Sequence, residues 1–140
     1  MASIVLVHGS WQGAWAWDAV VPLLERAGHR ARAIDLPAEC WERQPARPVT
    51  LAGLADHVAE VVQAAPAPVV LVGHSGAGVI ASEVAERCPE HLACSIYLCA
   101  FMLGNGEPIE SFYAAHLQPS VRRANRRATL SADVAWSRID

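Results

Sequence analysis

The chain contains no lysine, because all 11 of its basic residues are arginine. This absence excludes a lysine Schiff base and a Ser–Lys dyad formed within the chain. No apolar run approaches the ~20 residues that a helix needs to cross a membrane, and the first residues lack the basic segment of a signal peptide. A net charge of −3 gives no general attraction to nucleic acid or to an anionic membrane. We therefore expect a cytoplasmic protein with no nucleic-acid or membrane partner.

Cysteine is sparse and shows no metal-binding pattern. The four cysteines are Cys40, Cys88, Cys94 and Cys99, and no spacing among them suits a zinc site. Cys94 and Cys99 fall in or beside an apolar segment, where free thiols commonly pack as small hydrophobic groups. The sequence indicates neither a metal nor a cofactor.

The most informative segment is an apolar run that ends abruptly at a Gly-x-Ser sequence. Residues 69–78 read VVLVGHSGAG, with Ala77 where this motif usually ends in glycine. A serine between a strand and a helix is held on a strained backbone. Its hydroxyl is then exposed at the sheet edge, and the next N–H points the same way. Ser75 is therefore the predicted nucleophile, and the Gly76 N–H is one predicted oxyanion donor.

A second informative segment lies near the N-terminus, where a buried strand leads into the loop HGSWQGAW over residues 8–15. A His-Gly loop after an early strand is where a serine nucleophile of this kind finds its second oxyanion donor. We assign that role to the Ser10 N–H. We expect Trp11 to form a pocket wall, and Trp15 and Trp17 to pack in the core. The predicted substrate contacts are Gly9, Trp11 and His74.

The rest of the pattern alternates between strands and helices. Predicted strands cover residues 3–8, 30–35, 68–73 and about 93–99, and predicted helices cover about 16–27, 51–64 and 77–87. Such alternation implies a parallel sheet with right-handed crossovers. The two glycine-containing loops then meet at the C-terminal edge of the sheet, where open α/β folds bind ligands.

These segments resemble the N-terminal half of an α/β-hydrolase, and more narrowly its methylesterase and hydroxynitrile-lyase branch. The likeness covers about residues 3–108 and is carried by VLVHG (5–9), GAWAW (13–17), PLLE (22–25), AGH (27–29), IDLP (34–37), VLVGHS (70–75) and YLCAFM (97–102). It implies a truncated open parallel sheet of about four strands with helices on both faces. Strand 3–8 would lie between strands 30–35 and 68–73, with strand 93–99 at one edge. Residues 109–140 would form a helical, Arg-rich tail, either part of a cap or a cover for that edge.

The resemblance also implies a serine hydrolase that acts on small carboxylic esters through an acyl-enzyme, without a cofactor. A hydroxynitrile-lyase activity is disfavoured because these lyases use a lysine. In this family an acid and then a histidine follow the serine, and the sequence shows no obvious segment that carries them. The best in-chain base is His116, and the acid would be Glu107, Glu110 or neither. Two alternatives stay open: a catalytically incomplete fragment, and a small-molecule binding module.

The predicted edge strand gives one further expectation. Strand 93–99 would leave apolar side chains and backbone groups without neighbours, which favours association. We therefore expect a homo-oligomer with its interface near this strand.

Overall fold

The computed structural model describes residues 1–37 and 49–109. The strands are β1 (Ser3–Val7), β2 (Arg30–Ile34), β3 (Val69–His74) and β4 (Leu92–Leu98), and the helices are α1 (Val21–Arg26), α2 (Leu51–Ala64) and α3 (Ala77–Arg87), with 3-10 turns at Ala14–Trp17 and Pro89–His91. All of them belong to one compact unit, which comprises Met1–Pro37 and Leu51–Met102. A second unit comprises Ala38–Thr50 and Leu103–Asp140, and only its residues 49–50 and 103–109 are described. The predicted Arg-rich tail therefore lies outside the described residues from residue 110 onward.

The described strands form one parallel sheet in the order β2-β1-β3-β4. This order and direction confirm the predicted open parallel sheet, in which β1 lies between β2 and β3, and β4 lies at one edge. β1 is buried along its whole length, as expected of a central parallel strand that is covered on both faces.

Helices cover both faces of the sheet. Ile4, Leu6 and Val72 pack with Trp17 on one face, where α1 contributes Val21 and Leu24. The alternate residues point to the opposite face, and there the backbone of Gly73 lies directly against Ala77 at the start of α3. The opposite core contains Val5, Val7 and Leu71 of the sheet, Leu54, Val58 and Val62 of α2, and Ile80 and Val84 of α3.

The first helix is shorter than predicted. The pattern predicts a helix over about 16–27, but α1 begins at Val21 and a 3-10 turn precedes it. Pro22 is the cause, because proline has no N–H to donate and is tolerated only in the first turn of a helix. The predicted stop at Gly28 is confirmed. Gly28 has φ 84°, and the N–H of His29 donates to the Leu24 carbonyl at 3.0 Å, which is a Schellman ending.

The described cysteines are free thiols in two different environments. Cys88 is buried at the end of α3 and donates to the Val84 carbonyl at 3.4 Å. Burial, followed by the nearby charge of Glu90, raises the pKa of the Cys88 thiol. Cys94 and Cys99 are exposed, so the expectation that they pack as small hydrophobic groups is wrong.

None of the helices in the described part of the chain is long and apolar enough to cross a membrane.

Candidate active site

Ser75 occupies a two-residue turn between β3 and α3. Its φ is 55°, a left-handed conformation that costs a non-glycine residue free energy unless the surroundings hold it in place. The last residue of β4 and the chain after it hold this turn in place. The Ser75 N–H donates to the Leu98 carbonyl at 3.4 Å, and the Ser75 carbonyl accepts the Phe101 N–H at 3.0 Å. The same carbonyl accepts the Gly78 N–H of α3 at 3.2 Å. The strain predicted for this serine is therefore present and is held by its neighbours.

Close backbone contacts explain the glycines on either side of this turn. A Cβ at Gly73 would lie 2.7 Å from the Ala77 carbonyl oxygen. A Cβ at Gly78 would overlap the Phe101 carbonyl oxygen and lie 2.8 Å from the Ala100 Cβ. The tightest approach thus falls at Gly78, and Ala77 is accommodated although the motif usually has glycine there.

The loop after β1 lies directly against the turn that carries Ser75. A Cβ at Gly9 would lie 2.9 Å from the Ser75 Cβ and 2.9 Å from the His74 Nδ1. Ser75 is half-buried, whereas Gly9 and Gly76 are buried. The structure therefore brings together Gly9, His74 and Ser75, as the sequence predicts.

The two predicted oxyanion donors are both available. Within residues 1–37 and 49–109, neither the Ser10 N–H nor the Gly76 N–H donates to a protein acceptor. Gly76 is the N-cap of α3, and the N–H groups at the start of a helix have no partner within the helix and can bind an anion. Two unpaired N–H groups on the two segments that meet at Ser75 are what an oxyanion site requires.

The three tryptophans of the loop separate into exposed and buried positions. Trp17 is 6% exposed, as predicted, and its ring meets that of His74 edge to face at a centroid distance of 6.3 Å. Trp15 is 65% exposed, so its predicted core position is wrong: residues two apart on a helical turn face different directions. Trp11 is 54% exposed, so its indole is accessible, and its φ of 61° is left-handed.

Both ring nitrogens of His8 bond to backbone groups, so its role is structural. It is 1% exposed, and its Nε2 accepts the Leu36 N–H at 3.1 Å. The proton must then be on Nδ1, which donates to the Gly9 carbonyl at 2.9 Å. His8 therefore ties the loop after β1 to the chain that follows β2.

The other described histidines also bond to groups other than the Ser75 hydroxyl. Their partners are the Ala2 N–H for His29, the Asp35 carbonyl for His57, the Gln12 side chain for His74 and the Glu90 carboxylate for His91. His116 and Glu110 lie outside the described residues. Glu107 accepts the Gly104 N–H at 3.1 Å within its own turn. The assignments of His116 as the base and of Glu107 or Glu110 as the acid stay predictions.

No group of three or more His, Cys, Asp or Glu side chains in the described ranges is arranged to hold a metal ion.

Comparison with known protein families gives a clear match. Residues 4–139 match the model of the "Alpha/beta hydrolase family". The chain is 39% identical over 102 residues to Methylesterase 1 of Arabidopsis thaliana, a match that covers 70% of this chain and 39% of the relative. It is 38% identical over 118 residues to Esterase PIR7B of Oryza sativa subsp. japonica, covering 77% and 43%.

Solved structures give the same result. The fold superposes on a crystal structure of polyneuridine aldehyde esterase with a TM-score of 0.70 and 31% identity, over 82% of this chain and 48% of that one. A pyrethroid hydrolase from Sphingobium faniae JZ-2 matches with a TM-score of 0.69 and 32% identity, over 80% and 45%. The chain thus spans less than half the length of these relatives.

Proposed function

Because the chain belongs to the alpha/beta hydrolase family, on its methylesterase-like branch, we propose that it hydrolyses small carboxylic esters with Ser75 as the nucleophile. The observation that carries this proposal is the left-handed turn at Ser75, packed against the loop at Gly9. A strained serine of this kind, beside two unpaired N–H groups, suits acyl transfer.

The proposed reaction has two steps. The Ser75 Oγ attacks the ester carbonyl carbon while a histidine takes the proton of the Ser75 hydroxyl. The tetrahedral oxyanion then accepts hydrogen bonds from the Ser10 and Gly76 N–H groups. Each donor of this kind stabilises the transition state by about 3–4 kcal/mol. Expulsion of the protonated alcohol leaves an acyl-serine, which water then hydrolyses with the same histidine as base. His116 is our in-chain candidate for the base, with Glu107 or Glu110 as the acid.

The proposed substrates are esters of small alcohols, methyl esters among them, because methylesterases are among the relatives. Gly9 and His74 border Ser75 and would contact the ester. Trp11 presents an exposed indole on the same loop, which would form an apolar wall for a short-chain or aryl group.

A fluorophosphonate probe tests the nucleophile directly, because it reacts with an activated serine and leaves an ordinary one unmodified. We expect one equivalent of the probe on Ser75, located by peptide mass mapping, and slower labelling when a p-nitrophenyl ester competes. Ser82→Ala is the matched control: Ser82 is on α3, but its hydroxyl is bonded to Gly78 and Tyr97, so this variant should label normally. Ester binding without labelling would favour the binding-module alternative instead.

We also propose that the chain associates through β4. β4 is the outermost strand on its side of the described sheet, and it exposes Ile96 by 45% and Leu98 by 44%. A second copy that covers these side chains would remove them from water. Sedimentation at micromolar concentration should show a dimer or a larger assembly, and Ile96→Glu should shift it toward monomer. A wild-type monomer across that concentration range would contradict the proposal.

A further inference from the structure

One side chain connects the two segments of the site, and the sequence pattern does not single it out. The Oε1 atom of Gln12 accepts the Gly9 N–H at 3.1 Å and bonds to the His74 Nδ1 at 3.0 Å. Gln12 and His74 are 62 positions apart in the chain. This amide oxygen therefore bridges the loop after β1 and the residue that precedes Ser75.

The shared acceptor also determines the tautomer of His74. Because Oε1 accepts the Gly9 N–H, the oxygen end of the amide faces this point, and an oxygen accepts but cannot donate. Nδ1 of His74 must then carry the proton of the neutral ring. If the only ring proton were on Nε2, the lone pair of His74 Nδ1 would face a lone pair of the Gln12 Oε1.

Gln12 engages both backbone groups of Gly9. Besides the bond to Oε1, the backbone N–H of Gln12 donates to the Gly9 carbonyl at 3.3 Å. The Gly9 N–H is therefore occupied, whereas the N–H of the next residue, Ser10, is unpaired among the described residues. Together with the His8 Nδ1 bond to the Gly9 carbonyl, these bonds of Gln12 orient the peptide that carries the Ser10 N–H.

We propose that Gln12 is a positioning residue, which holds the Ser10 N–H in register with Ser75 by binding the Gly9 N–H and the Nδ1-protonated His74 at once. The effect on catalysis rests on the proposed esterase function, whereas the two hydrogen bonds do not. A neutral amide suits the position because it accepts two N–H groups without bringing an unpaired charge into a half-buried site.

The test compares Gln12→Met, which removes the acceptor at similar volume, with Gln12→Glu, which keeps an acceptor oxygen. In the full chain, proton–nitrogen NMR of the His74 ring reports the tautomer, and amide exchange reports the Gly9 N–H. For Gln12→Met we expect loss of the Nδ1–H preference and about tenfold faster exchange at Gly9. If ester turnover is present, kcat should fall by about 10²-fold with little change in KM, since a displacement of ~1 Å has an effect of this size. Gln12→Glu should restore the Gly9 protection but only part of kcat, because it keeps an acceptor oxygen and adds a charge to a half-buried site.

The outcomes separate the two proposals. Should the wild-type chain turn over no ester while both NMR readouts respond as expected, the bridge stands and the esterase function fails. Unchanged Gly9 exchange and an unchanged His74 tautomer in Gln12→Met would overturn the bridge. An unaltered kcat in that variant would overturn the positioning role. Gln12→Asn, which is too short to reach both donors, gives a second variant for the same readouts if Gln12→Met does not fold.

Discussion

Replacing Ser75 with alanine is expected to lower ester turnover by about 10³-fold or more, because the change removes the only atom proposed to attack the carbonyl. The proposed oxyanion donors stay in place, so residual hydrolysis by bound water is the most that should remain. Initial rates with a series of p-nitrophenyl esters, measured for the wild type and for this variant, give the result. Full activity in Ser75→Ala would end the esterase proposal.

A second substitution at this position separates chemistry from folding. Ser75→Gly also removes the hydroxyl, but glycine adopts the left-handed backbone of this turn without strain. We expect Ser75→Gly to be more stable to urea than Ser75→Ala by about 1 kcal/mol, while both lack turnover. Equal stabilities of the two variants would contradict the φ of 55° at this residue.

The strands could be predicted because a buried strand has a recognisable apolar composition. A central parallel strand is apolar on both faces, and β1 and β3 have that composition. The turn at Ser75 was equally predictable, because few patterns other than a tight strand-to-helix turn place Gly73, Ser75 and Gly76 together after such a strand. The family resemblance then added the spatial order.

Short segments and long-range side-chain bonds could not be predicted in the same way. The direction of the Trp15 side chain depends on a single 3-10 turn over Ala14–Trp17, whereas the pattern predicted a regular helix that began only at about residue 16. Gln12 lies in a loop, and its side chain bonds to His74 at the end of β3. The long-range partner of Gln12, His74, lies 62 positions away, and no sequence interval indicates it. Patterns of hydrophobicity predict which elements are buried, but they do not predict individual side-chain contacts of this kind.

Gly78→Ala is expected to destabilise the fold, although alanine is ordinarily the better helix residue. Alanine in a helix gains about 1 kcal/mol over glycine, but the new Cβ would overlap the carbonyl oxygen of Phe101. A backbone atom cannot rotate away as a side chain does, and forcing a methyl group into a packed site costs about 1–3 kcal/mol. The segment that must move also supplies the Phe101 N–H to the Ser75 carbonyl, so the strained turn loses a support as well.

We therefore expect a net loss of about 1–2 kcal/mol in the free energy of unfolding, measured by urea titration, together with a fall in any Ser75-dependent turnover. Gly104→Ala is the matched control, because its Cβ would meet only the Glu107 carboxylate at 3.7 Å, an ordinary contact distance. That variant should stay within about 0.5 kcal/mol of the wild type. A Gly78→Ala protein as stable as the wild type would show that α3 does not press against the chain after β4 in solution. The close packing that holds Ser75 in its left-handed conformation would then need another source.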